Sequence, residues 1–363
     1  MHFVSDSVLN IWCTKAGRLI PNRLADFTLG ALSHLDTQIR QRRRARDLIN
    51  AQSFDLVHEP IPVSPKQPSM MFGLSVPVVI GPLNGGMDYP KNFNSAGVIE
   101  RSVIGVLRAT SALANFLIPG KLRAALILVA NKRTFDALPA PINKNRVLEL
   151  VENGVDTDRF YPALSKPPNG PLRIIYVGRL VDWKRVDLLV AACAKMAAKI
   201  DYMVDVVGDG PERGALEREV NRLSLSANFR FRGWIPHSKA AELLRNADVM
   251  VLPSMRECGG AVVLEAMASA IPVIATNWGG PADYVGPSTG ILITPGTPDR
   301  FVDDLSEAVL WMARNPETRL NMGRAGRDRA ERFYDWRVKA ERVLELYEAV
   351  INDSVSTVTE RVA

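Results

Sequence analysis

From Leu172 onward, short runs rich in Val and Ile alternate with longer amphipathic stretches. Residues 172–178, 202–208, 228–233, 248–253 and 271–276 read as strands, apolar enough to be covered on both faces. Between them, residues 185–199, a segment opening at Pro211, residues 238–246 and residues 260–269 read as helices. Strands that alternate with helices require right-handed crossovers and a parallel sheet, so this half is a doubly wound α/β domain. The first half is less regular. Residues 54–60, 76–82, 124–131 and 146–154 are strand-like, and long stretches of less definite type lie between them. The Pro-rich, polar segment 160–171 is the best linker. It separates a domain over 1–160 from one over 171–334, with a closing helix at 335–352 that is free to pack back on the first.

A chain of 363 residues is long enough for two domains. Its 47% hydrophobic and 23% charged residues set disorder, collagen and coiled coil aside. The net charge of +6 suits anionic partners. Cys13, Cys193 and Cys258 are few and far apart, which argues against a disulfide scaffold or thiolate metal site and for a reducing, cytoplasmic setting. No segment reaches the roughly 18 uncharged apolar residues of a membrane span, and the first residues lack the basic-then-apolar pattern of a signal peptide.

Several patterns have ordinary explanations. Asp156-Thr157-Asp158 spells a D-x-D metal motif, but it follows Asn153-Gly154-Val155 in what reads as a solvated turn. In the glycine-rich run from Gly208 to Gly214 the third glycine comes one residue late. Pro211 also removes an N–H that a phosphate would use, which counts against a nicotinamide-dependent oxidoreductase. His2, His34, His58 and His237 form no ligand-spaced cluster, so they read as surface or core residues. The basic run Arg40–Arg46 suits a solvated helix face better than nucleic acid or a membrane. The apolar stretch 98–133 carries Arg101, Arg108, Lys121, Arg123, Lys132 and Arg133, a pattern open to two readings: burial in the first domain, or a peripheral membrane-lying helix.

Two segments carry chemistry. Arg179 and Lys184 follow the strand ending at Gly178, in the loop at its carboxyl end where open α/β sheets bind ligands. Two cations so spaced suit a diphosphate, Arg179 as a fork and Lys184 as a point charge. After the strand ending at Pro253 come Glu257, Gly259, Gly260, Ala261 and a helix bearing Glu265. A glycine pair before a helix start makes an anion site, and the two carboxylates offer acceptors to hydroxyl groups. Phosphate at the helix start with hydroxyls on either side describes a nucleoside diphosphate sugar.

The ordered set is specific: E-x7-E (Glu257, Glu265) followed by Ala266-Met267-Ala268, Val177-Gly-Arg-Leu180 with Lys184, Asn153-Gly-Val-Asp-Thr-Asp-Arg-Phe160, Val207-Gly-Asp-Gly-Pro211, Phe231-Arg-Gly233 and Trp278-Gly-Gly-Pro281. It resembles the large retaining glycosyltransferase family often numbered four, the glycosyl transferases group 1, over residues 124–350. The resemblance implies the GT-B fold, two Rossmann-like doubly wound domains facing across a cleft. It also implies transfer of a hexose from a nucleoside diphosphate sugar to a glycan or lipid-linked acceptor, as in exopolysaccharide biosynthesis at the inner face of the cytoplasmic membrane. Arg179 and Lys184 then hold the donor diphosphate, Glu257 lies by the donor sugar, Glu265 takes the ribose hydroxyls, and Gly259, Gly260 and Ala261 line the donor site. No metal or other cofactor and no nucleic acid is expected.

The departures from the family pattern are definite. Arg185 stands where a glycine usually follows the lysine, Cys258 and shifted glycines replace E-G-F-G, and Gly81-Pro-Leu-Asn84-Gly-Gly86 stands where a histidine is frequent. Asn84, Gly85 and Gly86 are the nearest acceptor-side substitutes. The strand–glycine–helix opening of such a first domain is missing ahead of residue 54, so that domain reads as incomplete, with a start assigned too far downstream as the favoured explanation. The alternative function is a nucleotide-sugar-binding protein impaired in catalysis for want of part of its acceptor domain.

Overall fold

The computed structural model describes residues 7, 22–60, 64–93, 110–164 and 170–353. Cys13 and the basic residues Arg101 and Arg108 lie outside them. Two compact units divide the chain: residues 1–86, 95–152 and 343–363 form the first, and residues 87–94 and 153–342 the second.

The first unit contains helix α1 (Asn22–Ala51), strands β1 (Val57–Glu59) and β2 (Val78–Leu83), helices α2 (Ser111–Leu117) and α3 (Gly120–Arg123), strand β3 (Leu126–Val129), helix α4 (Lys132–Asp136) and strand β4 (Val147–Glu149). The strands form one parallel sheet in the order β1-β2-β3-β4. Successive side chains of a strand face opposite ways, and β3 shows it. Ile127 and Val129 join Val78, Ile80, Leu83 and Met71 on one face. Leu126 and Leu128 join Val79, Leu148, Leu346 and Val350 on the other. The last two are one helical turn apart near the end of the C-terminal helix, and they cover that face. All four strand-like segments of the first half are therefore strands.

The stretch 98–133 is not one helix. Its described part holds α2, α3, the central strand β3 and the start of α4. Lys121 is buried, its ammonium donating to the carbonyls of Ser64 (2.7 Å) and Pro65 (3.0 Å). Beside it Glu59 accepts from Gln38 (2.7 Å) and Ser69. Burial pushes the Glu59 carboxyl up to about 7, against its bond from Ser69 and the charge of Lys121. Burial likewise pulls Lys121 down to about 7, against Glu59. Within Arg40–Arg46, Arg40 pairs with Asp36, and Arg42 lies over the Phe72 ring and donates to its carbonyl.

The second unit runs β5 (Leu172–Val177), α5 (Val186–Met196), β6 (Tyr202–Val207), α6 (Arg213–Arg222), β7 (Phe229–Gly233), α7 (His237–Asn246), β8 (Val249–Leu252), α8 (Ala261–Ala268), β9 (Val273–Thr276), α9 (Gly280–Tyr284), β10 (Gly290–Ile293), α10 (Pro298–Arg314) and α11 (Pro316–Phe333). The helix α12 (Trp336–Ile351) follows. Its six parallel strands lie in the order β10-β9-β8-β5-β6-β7. The order reverses between β5 and β8, so the loops after these neighbours diverge and leave a crevice at their carboxyl ends.

The turn Asn153–Phe160 belongs to the second unit rather than to the segment before a linker. Val155 exchanges backbone bonds with Tyr334 and Trp336, and Thr157 donates to Asp335 through its hydroxyl and amide. Burial opposes the ionised Asp335, but hydrogen bonds from Arg337 and Thr157 outweigh it and bring its carboxyl down to about 2.

Candidate functional site

Both loops at the crevice are shaped by glycines with no room for a side chain. After β5, the Gly178 amide donates to Val207 and the Leu180 amide to Asp209, each at 2.9 Å. A Cβ on Gly208 would lie 2.0 Å from the Gly178 carbonyl oxygen, and one on Gly210 2.2 Å from that of Leu180. The run 208–211 is thus a support under the Arg179 loop, which accounts for its glycines without any dinucleotide. The loop after β8 is built in the same way. The Gly280 amide donates to the Glu257 carbonyl at 2.7 Å, and a Cβ there would meet the Gly259 oxygen at 2.1 Å. A Cβ on Gly279 would lie 2.3 Å from the Glu257 oxygen. Trp278-Gly-Gly-Pro281 therefore fits beneath Glu257-Cys-Gly259.

On this frame Arg179 is exposed, and its guanidinium has no hydrogen-bond or ion-pair partner among the described residues. Its carbonyl accepts from the Tyr176 hydroxyl at 3.0 Å. Burial, helped by the charge of Glu257, pushes the Tyr176 phenol upward, so it stays a neutral donor. Lys184 ends a short 3-10 turn, Asp182–Lys184, and its ammonium binds the Glu257 carboxylate. Each of these two side chains keeps 16% of its surface exposed, so both are accessible at the crevice. The Met255 amide donates to the Trp183 carbonyl at 2.8 Å and ties the two loops together. Arg185, where a glycine was expected, adopts the left-handed region (φ 48°) and turns its guanidinium onto Asp187 at 2.7 Å. An L-residue holds that conformation at a cost of about 1 kcal/mol, the physical reason a glycine suits it.

Gly260 (φ 79°) caps α8, and Ala261 is the helix's first residue. The first-turn amides and the positive helix end face the loop that bears Glu257. Glu265 lies about one turn further along and accepts from the His237 Nε2 at 3.0 Å. The structure thus joins Lys184 to Glu257, with Arg179 on the adjacent loop and Gly259–Ala261 leading into the helix that carries Glu265.

The remaining predicted residues lie in the first unit. Asn84 donates through its side-chain amide to Glu152, and the Gly85 amide, expected to face an acceptor, donates to the Thr134 hydroxyl at 3.1 Å. Gly86 (φ 72°) has the Arg133 carbonyl and Ala137 where a Cβ would go. Asp156 and Asp158 are engaged in their turn. Asp156 accepts the amides of residues 158 and 159 at 3.1 Å, and Asp158 pairs with Arg337 at 3.2 Å. Among the described residues no group of His, Cys, Asp and Glu is placed to hold a metal, and no helix is long and apolar enough to cross a membrane.

Sequence reasoning missed Tyr176, Arg159 and His237. Glu265 is 28 residues beyond His237 in sequence, so no local spacing announces their contact.

Residues 159–329 match the family described as Glycosyl transferases group 1. The chain is 33% identical over 219 residues to the 2-deoxystreptamine glucosyltransferase of Streptomyces kanamyceticus, covering 57% of this chain and 56% of that one. It is 32% identical over 232 residues to the sulfoquinovosyl transferase SQD2 of Arabidopsis thaliana, covering 60% and 43%. The chain spans about half the length of the curated relatives it matches. Sucrose-phosphate synthase from Thermosynechococcus elongatus superposes with a TM-score of 0.63 at 23% identity, over 88% of this chain and 79% of that one. Anabaena Alr3699/HepE, crystallised with UDP, superposes with a TM-score of 0.66 at 16% identity, over 88% and 84%. These two likenesses show the fold.

Proposed function

We propose that this chain, whose residues 159–329 form a glycosyl transferases group 1 domain, is a retaining hexosyltransferase that uses a nucleoside diphosphate sugar. One observation carries the reading: at the point where the strand order reverses, two cations, a carboxylate and a helix start without a side-chain cap lie on adjacent loops. The curated relatives, named as a glucosyltransferase and a sulfoquinovosyl transferase, support sugar transfer as the reaction class.

On donor binding, Lys184 exchanges the Glu257 carboxylate for the diphosphate, and Glu257 turns to the hydroxyls of the donor sugar. Glu265 accepts from the ribose. The acceptor hydroxyl attacks the anomeric carbon from the side on which the leaving group departs. The bond from that carbon to the β-phosphate oxygen breaks, the new glycosidic bond forms, and the acceptor proton passes to the departing phosphate. Arg179, Lys184 and the start of α8 stabilise the charge that grows on the diphosphate. Because they supply that neutralisation, the reaction needs no metal or other cofactor. The acceptor we assign is a glycan or a lipid-linked glycan at the inner membrane face. Leu113, Phe116 and Leu117, 60–68% exposed on one side of α2, support contact with a lipid surface.

A second reading, donor binding with impaired transfer, draws on the engagement of Asn84 and Gly85 within their own unit. Incubation with a panel of nucleotide sugars, with and without lipid-linked acceptor extract, separates the two. Acceptor-dependent consumption of donor with an α-anomeric product from an α-donor is the expected result. Hydrolysis without transfer selects the second reading, and consumption of none of the donors overturns both. Sedimentation with anionic liposomes at low salt tests the membrane contact, which fails if the protein stays in solution.

A further inference from the structure

His237 opens α7, where its imidazole touches three groups. Its ring packs edge-on against buried Phe160, centroids 5.1 Å apart. Its Nδ1 lies 3.1 Å from an Arg159 guanidinium nitrogen, and its Nε2 lies 3.0 Å from Glu265 Oε1. A guanidinium only donates hydrogen bonds. Nδ1 must therefore accept, the ring hydrogen sits on Nε2, and that hydrogen is donated to Glu265. One fixed tautomer links the three residues in a single direction.

The origin of this chain of contacts is itself held. Asp156 accepts the amides of residues 158 and 159, and Arg327 donates to the carbonyls of Thr157 and Phe160. The turn that presents Arg159 and Phe160 therefore has little freedom. At the other end, Glu265 Oε2 has no hydrogen-bond partner among the described residues. A glutamate on a helix flank has several rotamers, and ordering one costs side-chain entropy. A bond to one oxygen settles the rotamer and leaves the other oxygen as the acceptor.

We propose that His237, set by Arg159, is a positioning residue for the donor: it holds Glu265 so that Oε2 meets the ribose hydroxyls of a nucleoside diphosphate. The Asn153–Phe160 turn then serves donor recognition as well as the packing of its own unit. The proposal rests on the assignment of Glu265 to the ribose.

The test measures binding of UDP, GDP and ADP by calorimetry, and compares the tightest of them with its 2′,3′-dideoxy analogue. In the parent protein the hydroxyls should improve affinity at least tenfold. His237→Ala should weaken the nucleoside diphosphate by about three- to tenfold and leave the dideoxy analogue within twofold, a selectivity that a general loss of structure would not produce. His237→Gln, whose amide can accept from Arg159 and donate to Glu265, should restore most of the loss, and Arg159→Met should show a smaller effect of the same kind. His237→Ala added to Glu265→Ala should weaken binding no further. If Glu265→Ala leaves affinity unchanged, or none of the three nucleotides binds, the ribose assignment fails and the proposal with it. If Glu265→Ala weakens binding but His237→Ala does not, or weakens both ligands alike, the proposal alone is overturned.

Discussion

Replacing Arg327 by Met removes the whole guanidinium, one nitrogen of which is shared among three backbone carbonyls. That nitrogen lies 2.6 Å from the oxygen of Phe160, 2.7 Å from that of Ala268 and 3.1 Å from that of Thr157. The remaining nitrogens bind Glu331, Nε at 2.6 Å. Two N–H bonds therefore serve the last turn of α8 and the turn that presents Arg159. A hydrogen bond from a charged donor contributes about 1.5–3 kcal/mol net, so two such bonds set an upper range of about 3–6 kcal/mol. The side chain is 17% exposed, so water can reach some of the abandoned carbonyls, and the Met stem keeps part of the packing. The expected loss is about 2–4 kcal/mol, with Arg327→Lys between parent and Met. Urea unfolding followed by tryptophan fluorescence measures it, and amide hydrogen exchange should quicken at residues 156–160. A loss under about 0.5 kcal/mol, or exchange that quickens only within α11, would refute the clamp.

Glu257→Ala should fold as the parent does and keep less than about a tenth of its turnover, because loop carboxylates at strand ends carry little packing; higher turnover removes its role at the sugar. Arg179→Ala and Lys184→Ala should each lower kcat by about 10²–10³-fold while weakening nucleoside diphosphate binding less, since the charge on the diphosphate grows in the transition state. Parallel losses in binding and kcat would count against that, and strong inactivation by EDTA reversed by manganese would restore a metal to the mechanism. Gly280→Ala puts a Cβ 2.1 Å from the Gly259 oxygen, so melting temperature and donor affinity should fall together; a parent-like melt means the loops have slack. Asp335→Asn should cost about 1–3 kcal/mol at pH 7. The depressed carboxyl contributes stability above its unfolded value of 3.8 that is lost as pH falls toward about 2. Parent and variant melts should therefore converge on acidification, and a constant gap from pH 6 to pH 2.5 would refute the assignment.

The second unit was legible because its strands are buried on both faces and so read as continuous apolar runs between turn residues, as Leu172–Val177 and Val249–Leu252 do. The placement of Arg179, Lys184 and Glu257 at the crevice was legible for a related reason: each follows a readable strand at a distance a short loop can span, and Glu265 lies about one turn into the helix that follows the second loop. Gly290–Ile293 was missed because four residues, two of them half-buried, leave almost no pattern. For Lys121 the pattern left burial and a membrane-lying helix both open, because the carbonyls it is buried against lie more than fifty residues away. The Arg159–His237–Glu265 chain draws on three elements, and contacts of that kind are set by tertiary packing alone. For Gly208 and Gly210 the sequence argued only against a dinucleotide site; the close approach they permit, to the backbone of a neighbouring loop, is a tertiary contact that no local pattern announces.

The interlocked glycine turns also limit how the crevice can be re-engineered. Residues 178–180 rest on 208–210, and 257–259 rest on 279–280, with backbone against backbone. A loop transplanted from a relative without its underlying partner would meet the wrong surface, so grafts should be exchanged as pairs. Side chains carried outward on the fixed frame and outside the charge-stabilising set, such as Cys258, stay open to substitution one at a time. Donor preference in this scaffold should therefore be easier to shift by changing what the loops carry than by changing how they run.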